Sequence, residues 1–244
     1  MIKLLMRASA LAFVCISFIQ SSMAQNTKDF GGWYVGNFLY KADSSWNFFF
    51  ETQTRSQKVG DIFFYHEFKG GFSYNILKKH SVLFGFGDYK TYSSTGNYKP
   101  PMLAKEFRIW EQLTLNNNIG RLKIDHRYRI EQRWLNGEFR NRFRYRINPL
   151  IPVNHKTIVD NTFFVSLFEE VFFTNTAPYF ERNRFFAGAG YQFSSLVTTQ
   201  LGWIRQYDYR KIDDGTGKNF LQLTMFFVID HSHNARERHP GTMD

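Results

Sequence analysis

Two neighbouring runs of alternating arginine are the part of this sequence with the clearest chemistry. In residues 121–134, charged side chains occupy every second position and mostly apolar side chains occupy the positions between them. Residues 139–147 repeat the pattern, with arginine at every second position. Guanidinium groups stay charged and present a planar set of donors that matches carboxylates, phosphates and other anions. A β-strand sorts alternate residues onto opposite faces, so the spacing predicts two rows of cations on one face of a sheet.

The two runs are joined by Asn136-Gly137, a dipeptide that favours a type I′ hairpin turn because both of its positions need positive φ. Such a turn pairs Leu135 with Glu138. It then sets the charged residues opposite one another as Arg133 with Arg140, Glu131 with Arg142, Arg129 with Arg144 and Arg127 with Arg146. A slip of one residue would mix the two faces. The turn and the alternation therefore predict the same hairpin.

Like charges directly opposite each other are destabilising, so carboxylates or bound anions must neutralise these rows. Glu51 and Glu67 alternate onto the same inner face of their own strands. The predicted ionic network or anion-binding site consists of Arg108, Arg127, Arg129, Glu131, Arg133, Arg140, Arg142, Arg144, Arg146, Glu170, Arg182 and Arg184. We favour a structural network that fills a narrow barrel, since open pores belong to barrels of about sixteen strands or more. An anion-binding or anion-conducting lumen is the alternative.

Period-two alternation recurs from Trp33 to Ile229 and predicts the elements that carry these residues. The candidate strands are 33–40, 46–56, 61–74, 81–92, 105–116, 121–134, 139–147, 156–173, 180–193, 196–208 and 218–229. This pattern predicts an all-β fold, an antiparallel up-and-down transmembrane β-barrel of about 10–12 strands over residues 25–230. These candidates number eleven, whereas bacterial barrels of one chain usually have an even number of strands. Either 33–40 is not a full wall strand, which leaves ten, or a break in a long candidate such as 156–173 gives twelve.

The connections also differ in length. Short turns such as 75–80, 116–120 and 194–195 alternate with longer connections at 93–104 and 208–218. In outer-membrane barrels the short turns face the periplasm and the long loops face outward. The same orientation is expected here.

The N-terminal 24 residues have the order of a secretory signal peptide. Lys3 and Arg7 precede an apolar run, and small residues at Ser22 and Ala24 fit cleavage after Ala24. The apolar run is too short to cross a membrane as a helix. Cys15 would leave with the signal, which excludes thiol chemistry in the mature chain. We expect export, with residues 231–244 forming a polar disordered tail.

Composition predicts which face of the barrel contacts lipid and which face lines the interior. Aromatic residues make up 19% of the chain and the net charge is +10. Arginine at the bilayer midplane costs about 2–4 kcal/mol, so the arginines are expected inside and lipid outside. The residues expected to face lipid are Trp46, Phe48, Phe50, Phe64, Phe68, Trp134, Phe143, Tyr145, Phe185, Tyr191, Trp203 and Phe227. A lipocalin-like periplasmic barrel is the soluble alternative.

The partners expected for such a barrel are outer-membrane lipid and small anions. Nucleic acid is disfavoured by the export signal and by the lack of exposed basic segments. Oligomeric state, cofactors and metals have no sequence signature here. The sequence thus predicts a non-enzymatic protein of the bacterial outer membrane.

One polar pair on the apolar face keeps an enzyme as an alternative. Alternation puts Glu111 on that face, so either a β-bulge turns it inward or it pairs with His126. A lipid hydrolase or acyltransferase would use such a pair as base and orienting group beside a serine. No serine lies in 121–134 or 139–147, so no catalytic residue is assigned.

Several segments together resemble a known family. They are Asp29–Tyr34, His126–Trp134, Arg140–Arg146, Glu169–Phe173, Arg182–Arg184 and Gly188–Tyr191. They look like the outer-membrane β-barrels of the DUF2490 family, a domain of unknown function, and the arginine double strand is the most specific part. The resemblance covers nearly the whole mature chain. It implies an outer-membrane barrel and no activity, because the family is uncharacterised.

Overall fold

The computed structural model describes residues 30–77, 79–211 and 215–232, and within these ranges the chain forms a closed barrel of eleven strands. The strands are β1 (Gly31–Lys41), β2 (Trp46–Lys58), β3 (Asp61–Leu77), β4 (His80–Tyr92), β5 (Met102–Ile119), β6 (Leu122–Leu135), β7 (Glu138–Pro152), β8 (Thr162–Thr174), β9 (Phe180–Gln192), β10 (Val197–Asp208) and β11 (Thr216–Asp230). The predicted all-β barrel is confirmed. The predicted signal peptide, and the predicted tail from residue 233 onward, lie outside the described residues.

The barrel closes through one parallel strand pair. β1 lies parallel to β11, with Gly31 beside Phe220 and Lys41 beside Asp230, and every other neighbouring pair of the described strands is antiparallel. An odd number of up-and-down strands leaves the first and last pointing the same way, so only a parallel pair can close the ring. The expectation of an even strand number is therefore wrong for the part of the chain that the structure describes.

Because the closing pair is parallel, the first strand starts at one end of the barrel and the last strand finishes at the other. β1 begins at one mouth and β11 ends at the other. We call the end where β1 begins, and where Asn136-Gly137 joins β6 to β7, the upper mouth. The end where β11 finishes and residues 153–161 join β7 to β8 is the lower mouth.

The arginine hairpin has the predicted register. Asn136 and Gly137 have φ of 50° and 90°, as a type I′ turn requires. Leu135 pairs with Glu138. The four charged pairs follow as predicted, Arg133 with Arg140, Glu131 with Arg142, Arg129 with Arg144 and Arg127 with Arg146.

The predicted strand 156–173 is wrong at its start. β7 continues to Pro152, β8 begins at Thr162, and residues 153–161 between them form a loop that we call the lid loop. Its Ile158 is buried in a cluster with Leu150 and Phe164 of the adjoining strands. An apolar side chain of the loop therefore packs against the inner face of β7 and β8 at the lower mouth.

Arg121 fastens the lid loop from the neighbouring β5–β6 turn. Its guanidinium donates to the carbonyl oxygens of Pro152, Val153 and His155 at 2.8, 2.7 and 2.7 Å. Three bonds from one cation hold the backbone at the start of the loop in a fixed place.

The predicted division of faces holds with one exception. The aromatic residues expected outside are exposed or half-buried on the outer face, apart from Phe64. A bulge in β3 pairs Arg55 with Tyr65 and Ser56 with Phe63, which leaves Phe64 as the extra residue. Phe64 packs against the inner apolar cluster, so its predicted outward position is wrong because the bulge reverses the alternation.

Candidate functional site

The interior of β6 and β7 is organised around Glu131, which is fully buried. Its carboxylate accepts from Arg142 through Nε at 2.7 Å, with Nη2 at 2.5 Å, and from Arg144 through Nη1 at 2.6 Å. Arg129 Nη1 lies 3.6 Å from the same carboxylate. Hydrogen bonds between charged groups are stronger than neutral ones, so Glu131 joins three guanidinium groups into one unit.

Glu170 of β8 also joins several guanidinium groups, those of Arg127, Arg144 and Arg184. Its carboxylate accepts from Arg127 Nη2 at 2.5 Å and from Arg144 Nε at 2.9 Å, and Arg184 Nη1 lies 3.8 Å away. Its register position is opposite Arg146. Arg144 contacts both Glu131 and Glu170, so the two units form one continuous ionic network across β6 to β9.

The phenyl ring of Phe172 lies close to four arginines of this network. Phe172 is fully buried. The guanidinium carbons of Arg142, Arg144, Arg182 and Arg184 lie 5.2, 4.6, 5.6 and 4.8 Å from its centroid. Cations within about 6 Å of an aromatic centroid are attracted to the ring. Phe172 therefore fixes guanidinium groups that would otherwise repel each other.

Sequence reasoning missed three carboxylates of this network. Glu106 accepts from Arg108 Nε at 2.8 Å and Nη2 at 2.7 Å, and also from Arg133. Glu106 alternates with Arg108 on β5, so the period-two pattern contained the signal. Asp208, at the end of β10, accepts from Arg182.

The third missed carboxylate, Glu181, is placed by a bulge. Phe172 pairs with Arg182 and Phe173 pairs with Phe180, which leaves Glu181 as the extra residue of β9. Its carboxylate lies 3.0 Å from Arg140 Nη2 and 3.2 Å from Arg133 Nη1. Simple alternation puts residue 181 on the face opposite Arg182, so only the pairing with β8 reveals its inward position.

A second, smaller network occupies the opposite wall. Lys69 Nζ lies 2.5 Å from the Glu51 carboxylate and 2.7 Å from the Glu67 carboxylate. Asn37 and Gln53 also donate to Glu51, at 2.9 and 2.6 Å. Glu51 and Glu67 thus point inward as predicted, but Lys69 is the cation they contact most closely.

The interior as a whole carries more cations than carboxylates. Among the described residues, the buried side chains include eleven arginines and lysines and only six carboxylates. The buried cations are Arg55, Lys69, Arg108, Lys123, Arg127, Arg129, Arg133, Arg142, Arg144, Arg146 and Arg184. Buried charge is costly unless it is paired, so this excess favours the presence of additional anions.

The excess is concentrated in a cavity at the upper mouth, which we call the vestibule. It has a volume of about 680 Å³, and Lys58, Leu135 and Thr216 at the ends of their strands mark its rim. Its wall includes ten cationic side chains and four carboxylates. They are Arg55, Lys58, Arg108, Arg133, Arg140, Arg142, Arg144, Arg182, Arg184 and Lys218, with Glu67, Glu106, Glu181 and Asp208.

The predicted site residues therefore divide into two groups. Seven of them line the vestibule, namely Arg108, Arg133, Arg140, Arg142, Arg144, Arg182 and Arg184. The other five, Arg127, Arg129, Glu131, Arg146 and Glu170, are buried outside its wall. The second group contributes the buried carboxylates of Glu131 and Glu170, which hold Arg142 and Arg144 in place.

Apolar side chains fill the barrel around and below this network. One cluster includes Trp33, Phe168, Phe186 and Phe220, and another includes Trp110 with residues of β1, β2, β4 and β11. A cavity of about 30 Å³ beside the first cluster has the volume of about one water molecule. Among the described residues, packed side chains therefore lie below the vestibule.

The polar pair considered for catalysis is not formed. His126 Nδ1 lies 2.9 Å from the Tyr145 hydroxyl, and Glu111 accepts from Gln132 Nε2 at 3.1 Å. His126 is opposite Leu115, four positions along β5 from Glu111, which corresponds to about 13 Å at about 3.3 Å per residue. Glu111 stays exposed on the outer face without a bulge between β5 and β6. Both expectations for Glu111, a bulge and a contact with His126, are wrong.

The described part of the chain has no group of three or more histidine, cysteine, aspartate or glutamate side chains placed to hold a metal ion. It also has no helix long and apolar enough to cross a membrane.

Comparison with known proteins gives one match. No curated protein and no solved structure matches the chain. A family described as protein of unknown function (DUF2490) matches residues 30–216, which include β1 to β10 and the arginine hairpin. The chain therefore belongs to the DUF2490 family of proteins of unknown function.

Proposed function

We propose that this protein is a non-enzymatic β-barrel of the bacterial outer membrane that binds anions in its vestibule. The observation that carries the proposal is the imbalance of ten cationic side chains against four carboxylates in one cavity. Rings of arginine attract anions, and the filled interior below the vestibule argues against conduction.

The outer face supports a membrane location. Large apolar side chains such as Phe50, Phe68, Phe86 and Leu201 are about half exposed on it. Soluble monomers rarely expose continuous apolar surface of more than a few hundred Å², whereas lipid-facing strands of a membrane barrel alternate apolar residues with inward polar ones. The N-terminal signal-like segment supports export to that membrane.

The connections do not set the orientation of the barrel. The lower mouth has short turns such as 42–45 and 193–196 but also the lid loop 153–161, and the upper mouth has the longer connection 93–101 but also the two-residue turn 136–137. The predicted separation of short turns and long loops between the two ends of an outer-membrane barrel is therefore wrong for the described strands. The proposed anion binding does not depend on which mouth faces the periplasm.

The membrane assignment is tested with the purified mature chain. We expect it to stay monomeric in detergent, to aggregate when detergent is removed, and to remain in liposomes after an alkaline wash. A mature chain that is monomeric and soluble without detergent would favour the lipocalin-like alternative.

Closure of the interior is tested by conductance across planar bilayers. We expect no steady current from the reconstituted barrel, because apolar clusters and the lid loop pack into the described interior below the vestibule. A stable current with an anion-selective reversal potential would contradict the closed interior and restore the conducting alternative.

No observation favours a lipid-modifying enzyme, because His126 and Glu111 contact other side chains. We expect His126→Ala to leave lipid hydrolysis by the reconstituted protein at the background level of empty liposomes. A hydrolysis rate that depends on His126 would overturn the non-enzymatic assignment.

A further inference from the structure

We infer that the vestibule recognises a small molecule or headgroup carrying two or more phosphate groups. This inference rests on the proposed anion-binding function and specifies its ligand. Three features of the vestibule support it: the size of the charge excess, the size of the cavity and the fixed positions of its guanidinium groups.

The excess of positive charge on the wall favours a ligand that carries several negative charges. The cations on the vestibule wall outnumber the carboxylates by six. A phosphate monoester carries about 1.5–2 negative charges near pH 7, whereas a carboxylate carries one. Glu131 and Glu170 pair with Arg142 and Arg144 from outside the wall and reduce this excess to four. Two or three phosphates would balance it, whereas four carboxylates would be needed. Phosphate is therefore the group that neutralises the most charge in the least space.

The cavity is the size of a small-molecule site. At about 680 Å³ it lies within the range of about 300–1,000 Å³ typical of ligand pockets. At about 30 Å³ per water molecule, a single halide would leave most of the space to solvent. Its wall is mainly charged, unlike the apolar lining of most ligand pockets, so an acyl chain or an uncharged ligand is a poor match.

The arginines are already held in position. Phe172, buried behind the wall, contacts four guanidinium groups. Arg55 lies with its guanidinium carbon 3.5 Å from the Trp33 centroid, and Arg108 lies 3.7 Å from that of Tyr89. Stacked guanidinium groups keep donors at their edges, and those donors match phosphate oxygens two at a time. A ligand would lose little side-chain entropy on binding, which raises affinity.

The test is calorimetric titration of the detergent-solubilised full barrel with inorganic tripolyphosphate, citrate and orthophosphate. We expect tripolyphosphate to bind at least tenfold more tightly than citrate, and orthophosphate to bind more weakly than tripolyphosphate. Affinity should fall as salt is raised, since partly exposed charges are screened.

Two single substitutions on different walls test the location. Arg140→Gln and Lys218→Gln each remove one vestibule cation, from β7 and β11. Each should weaken tripolyphosphate binding about tenfold, because the ligand loses one charge-assisted hydrogen bond. Lys156→Gln is the matched control, since Lys156 is an exposed cation of the lid loop at the lower mouth. Thermal unfolding of each variant verifies that the barrel is intact.

Each outcome has one meaning. Equal affinity for citrate and tripolyphosphate would overturn the phosphate inference while leaving the anion-binding function in place. No binding of any of the three anions would overturn the inference and the proposed anion-binding function together. An equal loss of affinity in Lys156→Gln would place binding on the general positive surface and so overturn the vestibule as the site.

A soluble phosphate and a phosphorylated lipid headgroup share this chemistry. Mixed micelles containing lipid A, whose headgroup has two phosphate monoesters, distinguish these sources by competition with tripolyphosphate. Competition supports a headgroup ligand, and tripolyphosphate binding that lipid A leaves unchanged supports a soluble ligand. Both results support recognition of phosphate by the vestibule.

Discussion

Replacing Glu131 by glutamine tests whether the ionic network holds the barrel together. The substitution keeps the shape of the side chain and removes one negative charge from a fully buried position. Arg142 and Arg144 then lose the carboxylate that lies 2.5–2.7 Å from their nitrogens. The change therefore adds uncompensated positive charge to the interior.

The expected cost follows from what remains around each arginine. Breaking a buried ion pair by removing one partner costs about 3–5 kcal/mol. Arg144 keeps Glu170 at 2.8 Å and Arg142 keeps Glu181 at 3.5 Å, so the lower end of that range, about 3 kcal/mol, applies. Against a typical free energy of unfolding of about 5–15 kcal/mol, such a loss is easily measured.

The assay is urea unfolding of the barrel in lipid vesicles, followed by tryptophan fluorescence. The variant should unfold at a lower urea concentration with an unchanged dependence of free energy on urea. Glu138→Gln is the matched control, because this glutamate is exposed beside the Asn136-Gly137 turn at the end of the barrel. The control should change the free energy of unfolding by less than about 1 kcal/mol. Equal stability of Glu131→Gln and the wild type would refute the structural role of the network.

Three further changes probe the turn, the packing and the lid loop. Gly137→Ala should cost about 1–2 kcal/mol through backbone strain alone, since φ is 90° and no atom lies near an added Cβ; a smaller loss in the same urea assay would argue against the type I′ turn. Gly85→Ala should cost about 1–3 kcal/mol through overpacking, because its Cβ would lie 2.4 Å from the Trp110 ring; unchanged near-ultraviolet circular dichroism would contradict this contact. Arg121→Ala should loosen the lid loop, and hydrogen exchange at the Val153 amide, which bonds to Phe163 at 2.7 Å, should accelerate. Unchanged exchange would show that Arg121 does not hold the loop in place.

Most of the candidate site could be predicted from the local sequence pattern. Alternation predicted that Arg127, Arg129 and Arg144 share the inner face, and the Asn136-Gly137 turn predicted their partners across β6 and β7. Both signals depend on residues close together in the chain. The binary pattern of a strand is local, and a two-residue turn sets the register of everything that follows it.

The local sequence pattern predicted the wrong face for residues at β-bulges. Phe64 and Glu181 each point inward because their strand has one more residue than its partner over the same length. An extra residue exists only relative to the neighbouring strand, so no alternation within β3 or β9 alone reveals it. The acidic group that pairs with Arg140 was missed for this reason.

The sequence by itself determined the strand periodicity, the separation of charged and aromatic faces, and the register of the arginine hairpin, since each follows from neighbours along the chain. Tertiary structure alone decided that the described residues close as eleven strands through a parallel β1–β11 pair. It also decided that Ile158 packs against Leu150 and Phe164 at the lower mouth. At the upper mouth it brought four arginines close to the ring of Phe172. These features depend on strands far apart in sequence meeting across a closed ring, and closure is a property of the whole barrel that no single segment specifies.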